Sequence, residues 1–206
     1  MAVTLADITH LRKMCGAGMM DCKNALIEAD NDFEKAMEII RKKGQAIAAK
    51  RSDREASQGC VLAAEDGEFA AIVALRCETD FVASNADFVK LTQDMLAAAM
   101  ANKPADKDAF LAIKMADGRT IQEHITDRAG VTGEKTELGY YDFVKAAATV
   151  SYIHPGNKLA AIVGFNEKLD HQVAREVAMQ VAAMNPISVR PEEVPQHILD
   201  EEIKIA

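Results

Sequence analysis

"CVLAAEDGEFAAIVALRCETDFVASNADFVKLTQDMLAAAM", residues 60–100, changes its hydrophobic period partway along. Two β-rich segments flank Asp66–Gly67, a dipeptide that favours a tight hairpin turn. From Asn85, a residue suited to an N-cap, Phe88, Thr92, Met95 and Ala99 fall on one stripe at helical spacing. The stretch therefore predicts a β-β-α unit, with the helix covering a hairpin that would be marginal alone in water. The strand stripe ends near Cys77 and the helix has its own apolar face from Phe88 onward, so residues 79–83, "TDFVA", belong to neither. Phe81 is a large ring at this junction in a chain with 7 Phe, 3 Tyr and no Trp. Core filling by Phe81 and Val82 is the reading that composition alone favours. Outward presentation for a partner is the alternative.

The pattern recurs about 83 residues later. "ATVSYIHPGNKLAAIVGFN" (148–166) reads as strand, Pro-Gly-Asn turn and strand, and "DHQVAREVAMQVAAMNP" (170–186) as a helix. The helix ends match too, "AAAMANKP" (97–104) against "VAAMNP" (181–186), which implies two related β-β-α units. Between them, two short helices are expected near 105–114 and 120–128. "EKTELGYYDFVKAA" then predicts a strand on a sheet edge.

Residues 1–44 read as three short helices. Leu5, Ile8 and Leu11 share one face, and "CGAG" (15–18) breaks that helix. A second helix is expected from Met19 to Ala29. In "NDFE" (31–34), Asn31 is the expected N-cap of a third, with Glu34 completing a capping box and Gly44 ending the helix. "QAIAAKRSDREASQG" (45–59) is expected to be a partly helical linker. After "NPISVRPEEVPQ", "HILDEEIKIA" begins an amphipathic helix with nothing to cap its end, as if the chain were cut there. The fold class is α+β, and the expected segments are 1–55, an N-terminal helical domain, 56–144, the first core subdomain, 145–190, an incomplete second one, and 191–206, the start of a helical hairpin.

Formal net charge is −8, a poor match to wide phosphate-backbone contact, which rests on clustered Lys and Arg. No metal or other cofactor is expected. The five histidines are scattered without H-x-x-x-H or H-x-x-E-H spacing. "GAGMMD" (16–21) follows a helix and places Asp21 where a dinucleotide fingerprint needs glycine. No apolar run is long enough to span a bilayer, and the N-terminus lacks a signal-peptide pattern, so no membrane contact and a cytoplasmic location are expected. Cys15, Cys22, Cys60 and Cys77 form no C-x-x-C pair and read as free thiols; Cys15 and Cys22 could still make a redox pair. At most one of Met19 and Met20 can face squarely inward, and a flexible, polarizable Met left outside suits a contact surface. Arg41, Lys42, Lys43, Lys50, Arg51 and Arg54 form a local basic cluster, either a solvated helix end or the footprint of an RNA- or ribosome-binding module.

Three motifs, "GAGMMDCKNAL" (16–26), "CETDFVASNADF" (77–88) and "VAMQVAAMNP" (177–186), closely resemble the translation elongation factor Ts family in order and spacing. The resemblance covers nearly the whole chain, with 103–133 the least matched. It implies a nucleotide-exchange protein, not an enzyme, whose partner is the GTPase elongation factor Tu in its GDP-bound and nucleotide-free forms. It also implies an N-terminal domain of the ubiquitin-associated type that docks on the GTPase, here including Met19 and Met20. The family's "TDFV" segment, here Thr79, Asp80, Phe81 and Val82, displaces Mg²⁺ coordination in the partner. Direct nucleic-acid contact is not expected. Longer members continue into a projecting helical hairpin, where this sequence stops.

Overall fold

A computed structural model describes residues 2–205; Met1, which opens the first expected segment, and Ala206, which closes the last, lie outside the described residues. Helices α1 (Leu5–Cys15), α2 (Met19–Glu28) and α3 (Phe33–Lys50) come first. Thr4 and Asp7 form a capping box on α1, and Gly16 stops it at φ +71. Ile8, Leu11, Cys22, Leu26 and Ala36 make a small shared core. Leu5 does not join Ile8 and Leu11 in it, since it lies in the first turn of α1 with its side chain exposed.

Two expectations about α3 are corrected. Asp32, not Asn31, is its N-cap, accepting from the N–H groups of Glu34 and Lys35 at 3.0 and 3.1 Å. Asp30 and Asn31 are both left-handed (φ 53 and 65), so the turn out of α2 uses Asn31 and the cap falls one residue later. Gly44 does not end α3, which runs on to Lys50. Gly44 is buried where α3 crosses α7 (Ile121–Thr132): a Cβ added to Gly130 would sit 2.3 Å from the Gly44 Cα. The missing side chain serves backbone contact there, not helix termination. Gly130→Ala should therefore destabilise the protein. Overpacking costs about 1–3 kcal/mol, against about 1 kcal/mol regained in helix propensity. A drop of several degrees in the melting midpoint is expected, and an unchanged midpoint would mean that the helices part without cost.

Strands β1 (Gln58–Glu65) and β2 (Phe69–Cys77) form the expected hairpin, pairing from Gln58↔Cys77 to Glu65↔Ala70. Asp66 accepts from the Phe69 N–H at 3.0 Å, and Gly67 takes φ +94, which an L side chain would resist. β3 (Thr136–Lys145) pairs antiparallel with the other side of β2, so it is an edge strand and β2 is central. Helix α5 (Ala86–Asn102) lies on this sheet with Phe88, Thr92, Met95 and Ala99 fully buried. The short α4 (Asp80–Ala83) precedes it, and α6 (Lys107–Leu111) and α7 follow, near the places expected for two helices.

The second unit is a separate antiparallel pair, β4 (Ala148–Ile153) and β5 (Ala160–Phe165), covered by α8 (His171–Met184) through Ala174 and Ala178 against Val150. The two long core helices end alike. Lys103 (φ 47, ψ 53) caps α5 before Pro104, and Asn185 (φ 45, ψ 60) caps α8 before Pro186. Proline disfavours the right-handed helical conformation in the residue before it, and both chains leave through a left-handed residue. A 3₁₀ turn at Pro191–Glu193 leads to α9 (Gln196–Ile205), which buries none of its described residues. Antiparallel sheets preceded by helices make the fold α+β.

Candidate partner-binding site

The junction expected to be irregular is a one-turn helix, α4, held by two glutamates that local sequence does not mark. β2 ends at Cys77, just before Glu78, while Gly133 stops α7 at φ +71 and leaves Glu134 and Lys135 close to Glu78. One Glu134 oxygen accepts from the N–H groups of Glu78 and Thr79 at 3.1 and 3.0 Å; the other accepts from the Thr79 hydroxyl at 2.6 Å. Glu78 returns the contact, accepting from the Lys135 N–H at 2.6 Å. Both Glu78 oxygens also accept from Arg51, at the C-terminal cap of α3, at 3.2 and 3.0 Å. Bonds to ionised acceptors are stronger than neutral ones, so the entry to α4 is tightly held.

Thr79 is extended (φ −120, ψ 155) and caps α4 by accepting from the Val82 N–H. Ser84 donates its hydroxyl to the Asp80 carbonyl at 2.8 Å and closes the other end. The turn is thus fixed by Thr79 and Glu134. The Asp80 carboxylate makes no hydrogen bond among the described residues, and it faces outward from the first turn. Ala83 is buried and Val82 packs partly against the main core, which sets the rotation of the turn. Phe81 then points away from the protein, 83% exposed. Beneath it, burial foremost and the Glu134 charge next push the Cys77 thiol up to about 11, and its S–H donates to the Thr79 carbonyl at 3.2 Å. A protonated sulfur adds one more tether to the turn.

Met19 and Met20 open α2 after Gly18, which supplies no side-chain cap. Met19 is half-buried against the three-helix core, and Met20 is 62% exposed. They are not part of the Phe81 turn. The α3–α7 crossing and the Arg51–Glu78 ion pair connect their helical unit to it. Within the basic cluster, Lys42 pairs with Glu38, Lys43 with Asp21 and Arg51 with Glu78. Half of its cations are thus engaged in ion pairs within the chain, which weakens it as a phosphate-binding stripe.

The Arg51, Glu78, Glu134 and Lys135 clamp is the feature of the candidate site that sequence reading missed. Its bonds join residues 27 to 57 positions apart, and no local pattern signals them. No helix among the described residues is long and apolar enough to cross a membrane.

The family model described as Elongation factor TS matches residues 78–206. The elongation factor Ts of Porphyromonas gingivalis is 68% identical over all of this chain, which spans 75% of that protein. That of Bacteroides thetaiotaomicron is 58% identical, with the whole chain covering 62% of its length, and that of Azobacteroides pseudotrichonymphae 55%, with 75% covered. The family-model match begins at Glu78, the residue that anchors the Phe81 turn to α3.

Proposed function

This chain belongs to the elongation factor Ts family, nucleotide-exchange factors of translation elongation, and on that premise we propose that it binds elongation factor Tu·GDP and drives GDP release through Phe81. The observation that carries this reading is a large apolar ring, 83% exposed, on a turn tied down from both sides. An exposed phenylalanine on a loose loop would lose ordering entropy on docking; one on a clamped turn has already lost it during folding. Thr79, Asp80, Phe81 and Val82 form the segment that meets the partner near its Mg²⁺. The ion requires near-ideal octahedral geometry, so a small displacement of its ligands weakens it sharply. A protein that prefers the nucleotide-free partner must lower nucleotide affinity by the same factor. Exchange on these terms makes and breaks no covalent bond. The deciding experiment is release of a fluorescent GDP from elongation factor Tu, with and without the folded chain. Acceleration supports the reading, and an unchanged rate refutes it.

In this reading residues 1–55 are the docking unit, with Met20 contributing contact. Removing the whole unit would also uncover α7, so a point substitution is the cleaner probe. Met20→Ala should weaken binding to the GTPase about fivefold, or about 1 kcal/mol. Its melting midpoint should match the parent, because the side chain is mostly exposed. Equal affinity in a calorimetric titration would remove α2 from the interface.

A further inference from the structure

We propose that Cys15 and Cys22 close into a reversible intramolecular disulfide, which makes the α1–α2 turn a redox-modification site. Cys15 is the last residue of α1 and Cys22 the fourth of α2, and their Sγ atoms lie 3.7 Å apart. Both sulfurs are held on Ala17: its N–H donates to Cys15 Sγ at 3.5 Å, and the Cys22 thiol donates to its carbonyl at 3.7 Å. A disulfide needs the sulfurs at about 2.05 Å. Side-chain rotation and a small adjustment of Gly16–Ala17–Gly18 supply the remaining travel, and Gly16 already takes a left-handed φ of 71 that only glycine adopts readily.

The two thiols are not equivalent. Cys15 is partly exposed and Cys22 is buried. Burial first, then the neighbouring Cys15, push the Cys22 thiol up to about 12. Cys15 is therefore the entry point and Cys22 the resolving residue. With a small-molecule disulfide such as oxidised glutathione, the Cys15 thiolate attacks one sulfur and releases a glutathione thiolate, leaving a mixed disulfide on Cys15. Cys22 then loses its proton, attacks Cys15 Sγ and expels the second glutathione thiolate. Two protein thiols are oxidised, one glutathione disulfide is reduced to two thiols, and the protons pass to the departing thiolates. Cys60 and Cys77 are buried in the main core and take no part.

The link would close the segment that carries Met19 and Met20, so its effect on docking rests on the exchange-factor reading, while the chemistry does not. The whole chain is incubated with oxidised glutathione, denatured, alkylated and cleaved after Lys and Arg. Residues 14–23 then form one peptide containing both cysteines. The expected result is that peptide two hydrogens lighter, with alkylation falling from four cysteines to two and restored by dithiothreitol. Cys22→Ser should stop at a glutathione adduct on Cys15, and Cys15→Ser should take up no glutathione. A parent chain that keeps the adduct without closing, or closes through Cys60 or Cys77, overturns the proposal. Mass alone decides it, whatever the GDP-release assay gives.

Discussion

Phe81→Ala is expected to slow stimulated GDP release roughly 30-fold while leaving the melting midpoint almost unchanged. Seating a phenylalanine in an apolar pocket is worth roughly 1.5–3 kcal/mol, and losing a central aromatic anchor commonly costs about 2 kcal/mol or more. At about 1.4 kcal/mol per decade, 2 kcal/mol realised in the Mg²⁺-displaced state gives a factor near 30. The ring is 83% exposed, so its removal takes almost nothing from the core. Phe88, in the first turn of α5 and fully buried, is the internal contrast. Phe88→Ala should cost about 3–5 kcal/mol of stability. Melting and GDP release measured on the same preparations separate the two roles. Full exchange activity in a well-folded Phe81→Ala protein would end the wedge reading, as would a large fall in its stability.

Glu134→Ala should be the more damaging change, because it acts on fold and function together. It leaves the Glu78 and Thr79 N–H groups and the Thr79 hydroxyl without their acceptor. Each part-buried donor left unsatisfied costs roughly 1–3 kcal/mol, so a loss of about 3 kcal/mol in chemical denaturation is reasonable after partial hydration. The Phe81 turn should then loosen, with stimulated GDP release falling about tenfold, part of the loss expected on removing the ring itself. Hydrogen exchange at the amides of residues 78 and 79 reports the clamp directly, and those amides should exchange faster in the variant. Glu134→Gln, which keeps an acceptor oxygen, should recover part of both losses. If the amides of Glu134→Ala stay as protected as in the parent, the clamp does not hold the turn.

Much of the core was legible because its signals are local. The hairpin turn at Asp66–Gly67, the Asn85 cap and the α5 stripe depend on residues a few positions apart, and the structure has all three. Gly44 misled for the same reason. Glycine is a stop signal when only its own helix is considered, but this one answers to Gly130 in another helix. At Asn31 the residue type was suitable, but the turn out of α2 had already used it in a left-handed conformation. Elimination exposed the singularity of Phe81, since both neighbouring elements had complete apolar faces without it. What presents the ring was invisible, because Glu134 and Arg51 reach it only after the chain has folded back.

The bare seam between Gly44 and Gly130 also bears on how the protein is made. Helices α1 to α3 leave the ribosome before α7 and share a small core of their own. The seam face of α3 must wait for α7, which at 5–20 residues per second arrives on the order of ten seconds later. Arg51 waits a shorter time for Glu78, and Glu78 in turn for Lys135. Phe81 is therefore synthesised well before Glu134 and Lys135, which complete the clamp that aims it. The newborn chain carries the ring early, and the aimed turn is among the last features of its first 135 residues to be completed.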